Sequence, residues 1–148
     1  MIDILLPIPP SANAIWRGIG AHVVKSAGYK AWINEAGFDV QIAKCSGLFG
    51  GIKPVIGSYM LLLALPRSMR GDIDNRHKAV NDLFQRMGIV PDDKHCNCLL
   101  VVYADDLAKD KCRVVIGKIA EIMDFQEPHP LIHAAVYGFA TVATGETR

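Results

Sequence analysis

Ser58-Tyr59-Met60-Leu61-Leu62-Leu63-Ala64-Leu65-Pro66 decides the fold class, because it is apolar at odd and even positions alike. A strand with one wet face alternates in polarity, whereas a strand apolar on both faces lies inside a sheet that is covered on each side. Pro66 ends it, since proline brings no N–H to a ladder. The next segment changes period. Ile73, Val80, Phe84 and Met87 fall on one stripe, Asp72 stands as an N-cap and Gly88 as a C-terminal stop, so a helix is expected over residues 73 to 87.

Upstream, Ile2 to Leu6 reads as a short strand closed by the proline-rich Pro7 to Pro10. Ser11 to Gly20 has no periodicity and reads as a loop, and Ala21 to Val24 as a short edge strand. Ser26 is a reasonable N-cap for an amphipathic helix over residues 26 to 45, carried by Tyr29, Ile33, Ala36, Val40 and Ala43 at helical spacing. The glycine-rich Gly47 to Gly57 is a connector. Downstream, Ile89 to Asp93 is a turn, Cys98 to Tyr103 a second buried strand, and Arg113 to Ile119 its hairpin partner across the polar Asp105 to Lys111. The expected fold is an α+β domain over residues 1–124, a mixed sheet with two main helices. Residues 125–148, rich in Pro, His, Ala and Gly, are expected to form a tail that is partly ordered at best.

Composition bounds the function. Of 148 residues 51% are hydrophobic and 21% charged, the balance of a folded domain. The net charge of +1 argues against a protein that coats nucleic acid by bulk electrostatics. The longest apolar run, Tyr59 to Leu65, falls far short of the roughly 20 residues of a membrane span, and residues 1–15 lack a basic start ahead of an apolar stretch. Cys45, Cys96, Cys98 and Cys112 fit no secreted disulfide pattern. The expectation is a cytoplasmic protein with no membrane partner.

Chemistry concentrates in Arg70-Gly71-Asp72-Ile73-Asp74-Asn75-Arg76-His77-Lys78, followed by Pro91-Asp92-Asp93. On a continuous helix Asp74 and Lys78 lie about 40° apart, beside the buried stripe. Asp72 stands at the helix start, and the turn at Asp92 and Asp93 can fold back toward the same sheet edge. Three gathered carboxylates repel one another unless a cation neutralises them, and oxygen ligands of this kind suit magnesium shared with a phosphate. A lysine one turn away offers a fixed positive charge to a phosphoryl-transfer transition state. The same residues also read as an N-cap, an exposed ion pair and an ordinary turn. Arg67, Arg70 and Arg76 crowd this segment, and Arg17 beside Trp16 lies in the expected loop; all four arginines are candidate DNA contacts, although charge runs are more often solvated surface.

Three blocks carry a resemblance: Pro9-Pro10-Ser11-Ala12-Asn13; Arg70-Gly71-Asp72-Ile73-Asp74-Asn75-Arg76-His77-Lys78-Ala79-Val80-Asn81-Asp82-Leu83; and Gly88-Ile89-Val90-Pro91-Asp92-Asp93. In order and spacing they resemble the RusA family of Holliday junction resolvases, over about residues 2 to 122. The resemblance implies a homodimeric, magnesium-dependent endonuclease that nicks four-way DNA junctions symmetrically. Its catalytic residues fall on Asp72, Asp74, Lys78 and Asp93, and its metal ligands on Asp72, Asp74 and Asp93. Asn75 is expected to orient a carboxylate or a backbone turn. The family's arginine cluster ahead of the first aspartate is thinner here, with Pro66-Arg67-Ser68-Met69-Arg70-Gly71 in its place.

Other readings stay open. A protein that binds branched DNA without cutting it, or a nuclease for flaps or forks, fits the same blocks. A zinc site at His95, Cys96, Cys98 and Cys112 lacks ligand-loop spacing, and His129 and His133 are expected at the surface. Leu48 to Ile56 and the edge strand near Val23 are the expected contributors to a dimer interface.

Overall fold

A computed structural model describes residues 1–45, 54–124 and 129–132. The class is α+β. Strands β1 (Ile2–Pro7), β2 (Trp16–Ile19), β3 (His22–Lys25), β4 (Tyr59–Pro66), β5 (Cys96–Ala104) and β6 (Lys111–Gly117) accompany helices α1 (Ala12–Ile15), α2 (Ala27–Cys45), α3 (His77–Arg86) and α4 (Ile119–Ile122). The main sheet has the order β1-β6-β4-β5 and is mixed: β4 is parallel to β5 and antiparallel to β6, which is antiparallel to β1.

The unbroken apolar run of β4 is buried along its whole length. Tyr59, Leu61, Leu63 and Leu65 point into a core closed by α2 and α3, while Met60, Leu62 and Ala64 point into a second core with Ile122, Leu131 and Ile132. Because β4 can take a ladder on each side, it separates β5 from β6, and the expected hairpin between those two is not formed. The parallel pair β4–β5 instead needs a crossover, which α3 supplies. β5 is an edge strand and not a buried one, with Leu99 42% and Tyr103 38% exposed.

The helix expected from Ser26 is present. Ser26 Oγ accepts from Tyr29 N at 3.1 Å and donates to Ala14 O at 2.6 Å, capping α2 and tying its start to α1. Trp32 packs in the core and donates Nε1 to Pro7 O at 3.0 Å. At the end of α3, Gly88 takes φ +66°. Ile89 N then reaches Phe84 O at 2.9 Å, closing the helix as its glycine stop requires.

Ser11 to Gly20 is not a loop. It holds α1 and β2, and β2 pairs with β3 across the two-residue turn Gly20-Ala21, in which Gly20 adopts φ +59°. Solvent faces both sides of this hairpin, so no polarity alternation marks it. Part of the expected tail is packed: His129, Leu131 and Ile132 are buried. His129 Nε2 lies 3.1 Å from Asp3 Oδ2, beside the two bonds that Arg113 makes to the same carboxylate at 2.8 and 2.5 Å. His129 is therefore not a surface residue. His133, the rest of the tail and most of the Leu48 to Ile56 segment lie outside the described residues. Among the described residues no helix is long and apolar enough to cross a membrane.

Candidate functional site

The registers of β1 and β4 against β6 make those two strands run in the same direction, so residues 8–11 and 67–76 leave the sheet at the same end. Arg76 joins them. Its Nη1 donates to Pro9 O at 2.5 Å and its Nη2 to Arg70 O at 3.3 Å, while Ala12 N donates to Asn75 O at 2.6 Å. The proline block and the aspartate block, far apart in sequence, are thus one surface. Asn75 serves the backbone contact through its carbonyl.

These bonds hold residues 70–76 in turns and delay the helix. α3 begins at His77, with Arg76 at its N-cap position and no side-chain cap, and His77 Nδ1 lies 2.6 Å from Asp74 O. Asp72 is therefore not the N-cap. Asp74 precedes the helix, so the expected 40° offset from Lys78 on one helical face does not apply.

Asp93 arrives from elsewhere. It opens a short 3-10 turn, Asp93–His95, just ahead of β5, whose Cys96 pairs with Tyr59 at the start of β4. That is the end at which β4 begins, whereas 67–76 leave the end at which it stops. Lys78 makes the junction instead. Its Nζ reaches Asp93 Oδ2 at 2.5 Å and Asp82 Oδ1 at 3.3 Å. The hydrogen bond to Asp93 chiefly raises the Lys78 ammonium above its ordinary range; partial burial opposes and Asp82 adds to the rise.

Behind Lys78 lies a network that the sequence reading missed. Tyr29 OH donates to Asp82 Oδ2 at 3.0 Å and accepts from Lys25 Nζ at 3.1 Å, and Lys25 Nζ itself stands 3.7 Å from Asp82 Oδ2. Burial and the Asp82 bond push the Tyr29 hydroxyl up to about 12. One signal was available for Asp82: its i,i+4 spacing from Lys78. Lys25 and Tyr29 come from another helix and strand, and no local spacing points to them. Beneath, Tyr59 OH donates to Asn81 Oδ1 at 3.0 Å, fixing β4 against α3. Beside Asp93, Asp92 caps the 3-10 turn by accepting from Lys94 N at 3.0 Å, and that bond chiefly lowers its carboxyl below the usual range.

Lys78 and Asp93 are thus together, while Asp72 and Asp74 stand exposed in the adjoining turns. Asp72, Asp74 and Asp93 are hard oxygen donors of the kind magnesium takes. Their geometry does not make a closed cage here: among the described residues no three His, Cys, Asp or Glu side chains converge as ion ligands. The cysteines do not gather either, since β4 separates Cys112 on β6 from Cys96 and Cys98 on β5.

The candidate DNA contacts divide. Arg17 on β2 and Arg70 in the loop are exposed. Arg67 pairs with Asp105 at 2.7 Å and lies 5.7 Å from the Tyr103 ring centroid. Arg76 is spent on backbone carbonyls, and its Nε is buried with no partner among the described residues. No protein-family model matches the sequence, and no curated protein matches it.

Proposed function

We propose that this chain is a magnesium-dependent, structure-specific endodeoxyribonuclease that resolves four-way (Holliday) DNA junctions by paired symmetric nicks, working as a cytoplasmic homodimer of RusA-like type. The observation that carries the reading is the Lys78–Asp93 contact at 2.5 Å, which unites two of the three sequence blocks. The Arg76 and Asn75 contacts bring the third block to the same surface.

In this reading Asp72, Asp74 and Asp93 would hold the ion. When bound it polarises a phosphoryl oxygen and favours attack by water. Lys78 places a fixed positive charge where the phosphoryl group becomes more negative, and its two carboxylate partners restrain it there. Exposed Arg17 and Arg70 would contact the DNA backbone. Two symmetric cuts need two sites related by a two-fold axis, which a closed homodimer provides.

A second reading, binding of branched DNA without cleavage, is favoured by the lack of a converged three-carboxylate cluster among the described residues. Incubation with four-way, three-way and linear DNA, with and without magnesium, separates the two. Cleavage of the four-way junction alone, dependent on magnesium, is expected. Binding without cleavage under every metal condition supports the second reading, and equal cutting of all substrates leaves a nuclease that is not a resolvase.

A further inference from the structure

Two adjoining hollows, each of about 340 Å³, lie between the start of α2 and the end of α3 and share Lys25, Tyr29 and Arg86 in their walls. Lys30, Ile33 and Asn34 complete one, and Asp82 and Gln85 the other. Three cations therefore face one depression, and the sole carboxylate in its walls among the described residues, Asp82, already accepts from Tyr29 and pairs with Lys25 and Lys78. Among the described residues no carboxylate forms an ion pair with Lys30 or Arg86. The first turn of α2, which borders the hollow, carries no acidic residue. Lys25 Nζ also lies 5.4 Å from the ring centroid of Trp16, which is 54% exposed on the hairpin.

We propose that this hollow is a phosphate-binding subsite that takes a backbone phosphate of the DNA strand, with Lys30 and Arg86 as its principal charges and Lys25 as its link to the site. The assignment rests on the nuclease reading only for which DNA is bound. Its physical basis is independent: Lys25, Lys30 and Arg86 outnumber the Asp82 carboxylate in the concave wall, and a phosphate that binds them releases counterions. The shared residue Asp82 joins the hollow to Lys78, so an occupied subsite sets the strand beside the Lys78–Asp93 pair. A base next to the bound phosphate can lie against Trp16, since stacking on an exposed aromatic needs no sequence match. Two of the arginines first considered, Arg67 and Arg76, are engaged within the protein, and this hollow supplies cations in their place.

The test is binding of a fluorescent four-way junction and of fluorescent oligothymidylate to the full chain in EDTA, across a salt series. Lys30→Ala/Arg86→Ala should weaken both by about tenfold or more and reduce the salt slope by about one, since the one phosphate contact of the hollow is lost. Lys109→Ala/Lys118→Ala removes the same charge outside the hollow and should change neither by more than about twofold. Thermal unfolding verifies that both variants fold, and Lys30→Gln/Arg86→Gln, which keeps part of each stem and a polar end without the charge, should bind as poorly as the alanine pair. Binding by the hollow variants at wild-type strength with an unchanged slope overturns the subsite. So does competition by inorganic phosphate or thymidine monophosphate at the concentrations at which oligothymidylate competes, because the hollow would then serve a free anion. Failure of the nuclease reading looks different: the affinity losses appear as expected while the wild type cuts no junction in magnesium.

Discussion

Replacing Lys78 by methionine keeps the apolar stem and removes the charge, and the geometry separates its two consequences. The Lys78–Asp93 pair is half open to water, with side-chain exposures of 46% and 40%. An ion pair of that kind contributes about 0.2–1 kcal/mol. The one-turn contact with Asp82 adds about 0.3–0.5 kcal/mol. Together they give a loss of about 1 kcal/mol, or about 2–4 °C in Tm for a chain of this size. Cleavage should fall by about 10²–10³, the usual cost of deleting one charge that stabilises a transition state. The pH dependence has a definite sign. The folded protein raises the Lys78 pKa, so the contribution is fully present below the unfolded lysine value of about 10.4 and is lost as pH rises through the higher folded value. The Tm difference between wild type and Lys78→Met should therefore stay constant from about pH 6 to 9 and close only as pH rises through the raised folded value. Differential scanning fluorimetry across pH and single-turnover junction cleavage measure the two quantities. A Tm loss beyond about 8 °C makes Lys78 a structural keystone, and cleavage above about a tenth of wild type removes it from the chemistry.

Asp72→Asn, Asp74→Asn and Asp93→Asn should each abolish cleavage in a gel assay while junction binding persists, because each removes a negative charge facing the DNA. Asp92→Asn should remain active, since an amide oxygen can still accept from Lys94 N; a dead Asp92→Asn beside an active Asp93→Asn reverses their roles. Burial pushes the Asp3 carboxyl up, but hydrogen bonds and charge from Arg113 and His129 outweigh it and hold the carboxyl below its usual range. Asp3 thus contributes stability above the unfolded aspartate value of about 3.9, lost as pH falls through the folded one. Asp3→Asn should flatten the acid limb of a Tm-against-pH curve, and an unchanged limb removes Asp3 from acid stability. Sedimentation without DNA should give a dimer, and a monomer that cuts junctions at full rate would refute the two-fold arrangement.

Much of the fold was legible where burial writes a clear period. The continuous apolar run of β4 announced a strand covered on both faces, and Tyr29, Ile33, Ala36, Val40 and Ala43 announced the buried stripe of α2. Strand partnership was not legible, because the short 105–110 connection suggests a hairpin while the two free edges of β4 decide the neighbours. Of the β2–β3 hairpin only β3 was legible, as the short edge strand at Ala21 to Val24, while solvent on both faces leaves β2 no alternation. The start of α3 was misplaced because Asp72 looks like a cap, and only the distant Pro9 carbonyl, bound by Arg76, reveals that residues 70–76 are turns. In the site, Lys78 and Asp93 were chosen from the sequence and do meet. Their third member, Asp82, was marked only by its i,i+4 spacing from Lys78, and its supports Lys25 and Tyr29 come from β3 and α2 by tertiary packing.

The central claim, cleavage of four-way junctions by a site built on Asp72, Asp74, Lys78 and Asp93, is tested most directly by strand-resolved nick mapping. A junction with each strand labelled in turn is exposed to the wild type and to Asp93→Asn in magnesium and in EDTA. The account predicts nicks at matching positions on two opposing strands, only with the wild type and only in magnesium. Nicks that persist with Asp93→Asn or in EDTA, or that fall on all four strands without symmetry, would contradict it.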